Sequence, residues 1–327
     1  MNSEDLDVVK KQWMAEQLKL RGRAIFEDRD LSFQVTPAQD SISLDTQGVS
    51  DYDEPIVRNE APNAFTLSGL KYIGGLDISF ITQEEGDGEE SATFAGHNAS
   101  ATGSNPNASM VHESKPDAYG VVTVLDYPAL TLIHSITLPI RLTAPYIPSF
   151  LSYRETPAYL ELLSDLRKHL ERLGKEDQFP QVVLVDGNGQ LHVREAGVAT
   201  AVGVQADIPT IGVAKTYHPP NAHALPDTNS EVQTHWRLSQ KGMKTKAREI
   251  LKRPGDYLGI FSAEGDRYVG AALRSPTSSN FLFVSPGHRV SLTTAMRLAM
   301  ALSKYRIPEP IRLADKMGRE AAAKYIE

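Results

Sequence analysis

A chain of 327 residues, 41% hydrophobic and 23% charged, can bury a substantial core as one large domain or two small ones. It has no cysteine, which excludes disulfides, thiolate zinc sites and a cysteine nucleophile. The net charge of −7 divides unevenly: residues 1–117 hold 9 Lys/Arg against 21 Asp/Glu and residues 118–327 hold 25 against 20, so any phosphate-binding surface is expected in the second part.

Ser3 is placed to cap a first helix reaching about Leu20, with Leu6, Val9, Trp13 and Met14 on one side. The mixed charges around it do not read as a secretory signal, and no apolar run is long enough for a membrane span, so an intracellular protein is expected. Residues 28–63, rich in Asp, Pro, Ser and Thr, read as a connector; residues 1–64 are thus an N-terminal helix and connector. Residues 70–81 read as a strand. From 82 to 117 an acidic run gives way to Ala, Ser, Gly and Asn with almost no large apolar side chain. Such a segment cannot offset its ordering entropy and is expected to be a disordered insertion. The triplets beginning at Asn98 and Asn107 match the glycosylation pattern, but without a signal peptide they are read as unmodified.

Residues 119–127 and 130–138 read as a β-hairpin. Thr156 and Pro157 read as the cap and first residue of a helix that carries Tyr159, Leu162, Leu163, Leu166, Leu170 and Leu173 on one face and ends at Gly174. Residues 181–185 form an apolar strand of the kind buried inside an α/β sheet, followed by a small-residue helix at 197–205 and a strand at 210–214. After a Pro/Asn/His-rich loop at 217–234, residues 241–253 carry six Lys/Arg and one Glu, either a phosphate-tracking surface or a solvated helix face. Strands at 257–262, 267–273 and 281–285 precede a helix at 291–305, and residues 317–327 read as a C-terminal tail. Hairpin strands followed by alternating helix and strand predict an α/β fold with a mixed sheet.

Four acids and a histidine occupy chemically suggestive places. Asp77 lies inside an apolar strand, where a carboxylate is costly unless paired or bound to a cation. Asp186 ends an apolar run and is followed by Gly187-Asn188-Gly189; acids at strand ends in α/β sheets face the crevice where ligands collect. Glu155 precedes a helix, Asp315 follows a Pro-Glu-Pro segment, and His288 stands just before another helix. Carboxylates without cysteine suit hard cations such as Mg²⁺ or Mn²⁺, which can clamp the oxygens of an in-line phosphoryl displacement. Taken singly, each has an ordinary structural reading: Asp77 and Asp186 as turn residues, Glu155 as an acid at a helix start, and His288 as a satisfied histidine.

The longer strings carry more. Residues 74–80 (Gly-Gly-Leu-Asp-Ile-Ser-Phe), Pro145-Tyr146-Ile147-Pro148 with 150–157, Val185-Asp186-Gly187-Asn188-Gly189 with His192, Gly197, Gly203 and 209–215, and 285–288 with 306–315 together resemble the endonuclease V family, in family order. The resemblance implies a ribonuclease H-like mixed sheet flanked by helices, with the nuclease domain at 65–316 interrupted by the 82–117 insertion. It implies Asp77, Asp186 and Glu155 as metal ligands, with Glu155, His288 and Asp315 completing the catalytic set and Mg²⁺ (or Mn²⁺) as the cofactor. Tyr146, Ile147, Pro148 and Ser149 would form the wedge at the lesion, with Arg154, His192 and Lys215 meeting the strand. The implied partner is RNA containing inosine or DNA containing deoxyinosine, cut at the second phosphodiester bond on the 3′ side to leave 3′-OH and 5′-phosphate ends. The strings around Asp186 and Arg306 look like those of eukaryotic members, which lean towards inosine in RNA. A monomer in cytoplasm or nucleus, nucleolus included, is the corresponding expectation.

Two departures stand out. Ser149 occupies a position where the family usually has glycine, and the acidic insertion is atypical. Three rival readings remain open at this level: another ribonuclease H-like nuclease, an inosine-binding protein without catalysis, and a small-molecule α/β enzyme. The last lacks a phosphate-cradling glycine loop after a strand.

Overall fold

The structure, a computed structural model, describes residues 3–37, 57–59, 65–81, 115–220 and 239–326. The expected insertion, its two Asn-Ala-Ser triplets and most of the 217–234 loop lie outside the described residues. In chain order the elements are α1 (Ser3–Arg23), β1 (Gln34–Pro37), β2 (Val57–Asn59), β3 (Phe65–Ser68), β4 (Tyr72–Phe80), β5 (Ala118–Asp126), β6 (Leu132–Ile140), α2 (Leu151–Leu173), β7 (Val182–Asp186), α3 (Val198–Ala206) and β8 (Thr210–Ala214). They continue with α4 (Gln240–Ile250), β9 (Asp256–Phe261), β10 (Tyr268–Arg274), β11 (Phe281–His288), α5 (Leu292–Ala301) and α6 (Glu309–Ile326). No helix among the described residues is long and apolar enough to cross a membrane.

The main sheet runs in the order β2-β9-β10-β11-β8-β7-β4-β5-β6. β4, β7 and β8 are mutually parallel, and the hairpin of β4, β5 and β6 is antiparallel. Side chains alternate across a strand, and β7 shows what that achieves. Leu184 faces one apolar layer with Leu292, Met296 and Ile311, while Val183 and Val185 face the other with Leu162, Leu166 and Val202. The mixed sheet flanked by helices is therefore as the sequence leads one to expect. A third apolar cluster seats α4 through Met243, Ala247 and Leu251 against β9 to β11, Leu191 and Tyr217.

Gly75 lets α6 lie directly on β4. A β-carbon there would fall 2.2 Å from the carbonyl carbon of Pro310. Thr123 Oγ1 from β5 donates to the Pro310 carbonyl at 2.8 Å and fixes the start of the helix.

Four segments differ from the sequence reading. In α1, Met14 is exposed, and the inward positions are Val9, Trp13 and Gln17, the spacing of one helical turn. The connector is partly structured: β1 pairs with β3, β2 joins the main sheet beside β9, and Asp28 anchors the start of α5 by accepting from Ser291 N and Thr294 Oγ1. α2 begins at Leu151 rather than at Thr156, so Pro157 sits in its interior, where its ring leaves one carbonyl without a helical donor. Residues 317–326 are no tail. They continue α6, because the Arg-Glu-Ala-Ala-Ala-Lys run at 319–324 is strongly helix-forming and Gly318 and Ala322 pack inward.

Candidate active site

Parallel pairing sets the site. Leu76 is in register with Val185 and Asp186 with Val213, so Asp77, inside β4, comes beside Asp186 at the end of β7 and Lys215 just past the end of β8. Gly187 follows with φ +146, a conformation that L side chains rarely adopt, which turns the chain away and leaves the Asp186 carboxylate at the crevice. α6, laid over β4, brings Asp315 to the same place, with Ser79 Oγ 3.4 Å from the Asp315 carbonyl.

The acids perturb one another. Asp77 is only 5% exposed and accepts from Ser79 Oγ at 3.1 Å. Burial first, then the charge of Asp186 and a hydrogen bond shared with it, then Asp315, push the Asp77 carboxyl up to about 8, with Lys215 opposing. Like charges beside a buried carboxyl disfavour its ionised form. Glu155, also 5% exposed, is pushed up to about 8 by burial and then Asp186, against the nearby Arg154. Lys215 Nζ lies 2.7 Å from Asp186 Oδ2 and 3.9 Å from Asp315 Oδ1. Burial pulls its ammonium down, but Asp186, Asp315 and Asp77 together hold it above the usual lysine value. Asp315 is further paired with Arg319 one turn along α6.

These residues border a cavity of about 410 Å³. One wall is the loop Tyr146, Ile147, Pro148 and Ser149, with Tyr146 50% exposed at the mouth and Ile147 buried. Ser149 has φ +67, so the position where the resemblance expects glycine does require a left-handed backbone. His192 Nδ1 accepts from the Arg194 backbone N–H at 3.2 Å, which leaves Nε2 protonated to donate to the Ser149 carbonyl at 3.0 Å.

Two expected site residues are elsewhere. His288, 4% exposed, is in register with Thr210 at the start of β8, the opposite end of that strand from Lys215. Its Nδ1 accepts from Ile25 N and its Nε2 faces Asp207 at 3.7 Å, while burial and then Arg289 hold its pKa down. It is a structural histidine at the far edge. Arg154 is not on the cavity wall and stacks on Phe80 with 5.3 Å to the ring centroid. One residue along a helix rotates the side chain by about 100°, so Glu155 faces the cavity and its neighbour does not.

The same helical geometry identifies residues that the sequence reading missed. Leu151, Ser152 and Tyr159 stand four and three residues before and four after Glu155, and all line the cavity. The i, i+4 pair Glu155–Tyr159 was visible in sequence, but placing the helix start at Thr156 hid it. Asn188 and His218 also line the wall.

Carboxylate oxygens are the donors that a hard divalent cation prefers, and the upward push on the buried Asp77 carboxyl from its own burial and from the neighbouring acids is the setting in which such a cation would be held. Among the described residues no three such side chains are drawn tightly around one point, and Lys215 stands between Asp186 and Asp315.

The Endonuclease V family model matches residues 106–316. The chain belongs to the endonuclease V family. It is 35% identical over 255 residues to human endonuclease V, covering 78% of this chain and 72% of the human protein. The mouse protein is 35% identical over 256 residues, and the match spans 61% of its length. The crystal structure of human endonuclease V superposes with a TM-score of 0.66 at 29% identity, covering 97% of this chain and 99% of that one. The Ciona intestinalis endonuclease V, solved with a 24mer DNA containing an inosine followed by a ribo-adenosine, gives 0.65 at 25% identity over 97% and 98% of the two chains. As a member of the endonuclease V family the chain is an endonuclease.

Proposed function

We propose that this endonuclease cleaves RNA or DNA strands at the second phosphodiester bond 3′ to inosine, with Mg²⁺ or Mn²⁺ bound by Asp77, Asp186 and Glu155. The observation that carries the reading is the convergence of Asp77, Glu155, Asp186, Asp315 and Lys215 beside a cavity walled by the Tyr146–Ser149 loop. Inosine enters through the Ciona intestinalis relative, whose complex contains it. The cation supplies charge stabilisation at the scissile phosphate and a more acidic water.

The protein's own residues supply the rest. Glu155, buried on the cavity wall, takes the proton of the attacking water when its carboxyl is ionised. The water oxygen bonds to phosphorus as the P–O3′ bond breaks, and the departing O3′ takes a proton from solvent water, leaving a 3′-OH and a 5′-phosphate. Lys215 turns from Asp186 towards the phosphate and balances its charge. The cavity is of a size that takes a small ligand such as an extruded base. Tyr146, between Pro145 and Pro148 and half exposed, fills the gap that the base leaves.

The test is cleavage of matched labelled strands, one RNA with a single inosine and one DNA with a single deoxyinosine, with Mg²⁺ or with EDTA. A Mg²⁺-dependent cut one nucleotide beyond the inosine is expected, and the two rates rank the substrates. Equal cutting of strands without inosine would refute the reading; binding without any cut would replace it with an inosine-binding protein. For the wedge, Tyr146→Ala is expected to cost about 1–3 kcal/mol of affinity for the inosine strand, the worth of one base–aromatic stack. Fluorescence anisotropy in EDTA reads this directly, and unchanged affinity would remove Tyr146 from the wedge.

A further inference from the structure

We infer that Gln17 of α1, outside the residues matched by the family model, is a positioning residue that sets the base-reading loop. The inference rests on the reading of residues 146–149 given above. Gln17 is 3% exposed on a helix whose neighbouring inward positions are apolar or aromatic. Its Nε2 lies 3.4 Å from the Ser149 carbonyl, 3.2 Å from Ser152 Oγ and 3.2 Å from the Ala196 carbonyl. Its Oε1 accepts from Arg194 Nε. One amide thus ties together the end of the wedge loop, the first turn of α2 that carries Glu155 one turn later, and the chain entering α3.

The Ser149 carbonyl is the focus of this arrangement. It accepts from Gln17, from His192 Nε2 and from the Arg194 guanidinium. A non-glycine residue at φ +67 is held there only by its surroundings, and these three donors provide the hold. α1 is in turn fixed against α2: Trp13 stacks on Tyr153 at 4.5 Å and 6°, and the Tyr153 hydroxyl donates to the Trp13 carbonyl at 2.8 Å. Farther along, Arg21 pairs with Glu195 at 2.8 Å. Burial alone does not call for glutamine at position 17, since leucine would fill similar volume without polar groups to satisfy. What the amide adds is orientation, so its loss is expected to loosen the loop more than the fold.

Gln17→Leu removes the amide, and Gln17→Asn keeps it but withdraws it by one methylene. Arg21→Ala weakens the seating of α1 without touching the loop. Binding of an inosine strand and of its adenosine counterpart is measured in EDTA, with steady-state cleavage of the inosine strand and thermal melting alongside. Both Gln17 variants are expected to lower the inosine-over-adenosine affinity ratio, Gln17→Leu by about tenfold or 1.4 kcal/mol, and to raise KM with kcat nearly unchanged. Arg21→Ala is expected to lower the melting temperature with the ratio intact. An unchanged ratio in the Gln17 variants, or an equal loss in Arg21→Ala, overturns the inference. If the unaltered chain shows no preference for inosine, the reading beneath it fails and the inference falls with it.

Discussion

Asp77→Asn is expected to reduce strand cleavage by about 10³-fold or more, the scale on which removal of a charge-stabilising group from a reacting phosphate acts. In cation-free buffer the same change is expected to stabilise the protein. Asparagine keeps the volume inside β4 and removes a buried carboxyl set against Asp186 and Asp315. The stabilisation has a pH signature. The Asp77 carboxyl titrates near 8 in the fold against an ordinary 3.8. Between those values the unfolded chain has released a proton that the fold retains, so this group's contribution to stability falls as pH rises. The advantage of Asn over Asp is therefore small near pH 4 and grows towards pH 8. It shrinks again when Mg²⁺ binds the carboxylates of the unaltered protein. Melting curves of both proteins from pH 4 to 8 in EDTA check this; a flat or reversed difference would show that Asp77 is not under like-charge strain.

Glu155→Gln should lower the single-turnover cleavage rate by about 10²–10⁴-fold, the usual reach of a positioned base, with affinity for the inosine strand within twofold of the original. Glu155 is buried at the floor of the cavity on the face shared by Leu151, Ser152 and Tyr159, while the wedge loop forms a separate wall. Substitution by the neutral isostere therefore touches the proton and leaves the pocket's shape. A loss of strand affinity as large as the loss of rate would place Glu155 in binding rather than in proton transfer.

Much of this arrangement is legible in the amino-acid sequence, and the reasons differ by residue. β7 announces itself because both its faces are buried and every position is apolar until Asp186, so the strand end and its acid are read together. Asp77 is conspicuous for the opposite reason, a charge in an apolar run. The start of α2 is obscured because Thr156-Pro157 mimics a cap, and only packing reveals that the helix tolerates a proline in its interior. His288 misleads because it borders a helix that Ser291 caps, and chain proximity to a helix start says nothing about which end of β11 faces the acids. Gln17 carries no local signal at all: its partners lie more than a hundred residues away, and a polar residue in a weakly amphipathic helix reads as solvent-facing.

The laying of α6 across Gly75 has a consequence for the order of events during synthesis. β4 is made early, yet the acid that α6 sets beside Asp77 is residue 315, and the helix start must dock on β4 and β5 through Pro310 before that acid is in place. Contacts so distant along the chain form late. A ribosome-bound chain can thus assemble its sheet before Asp315 stands beside Asp77. A chain that stops short of α6 is expected to carry Asp77 and Asp186 on their strands without the acid that the helix sets beside them.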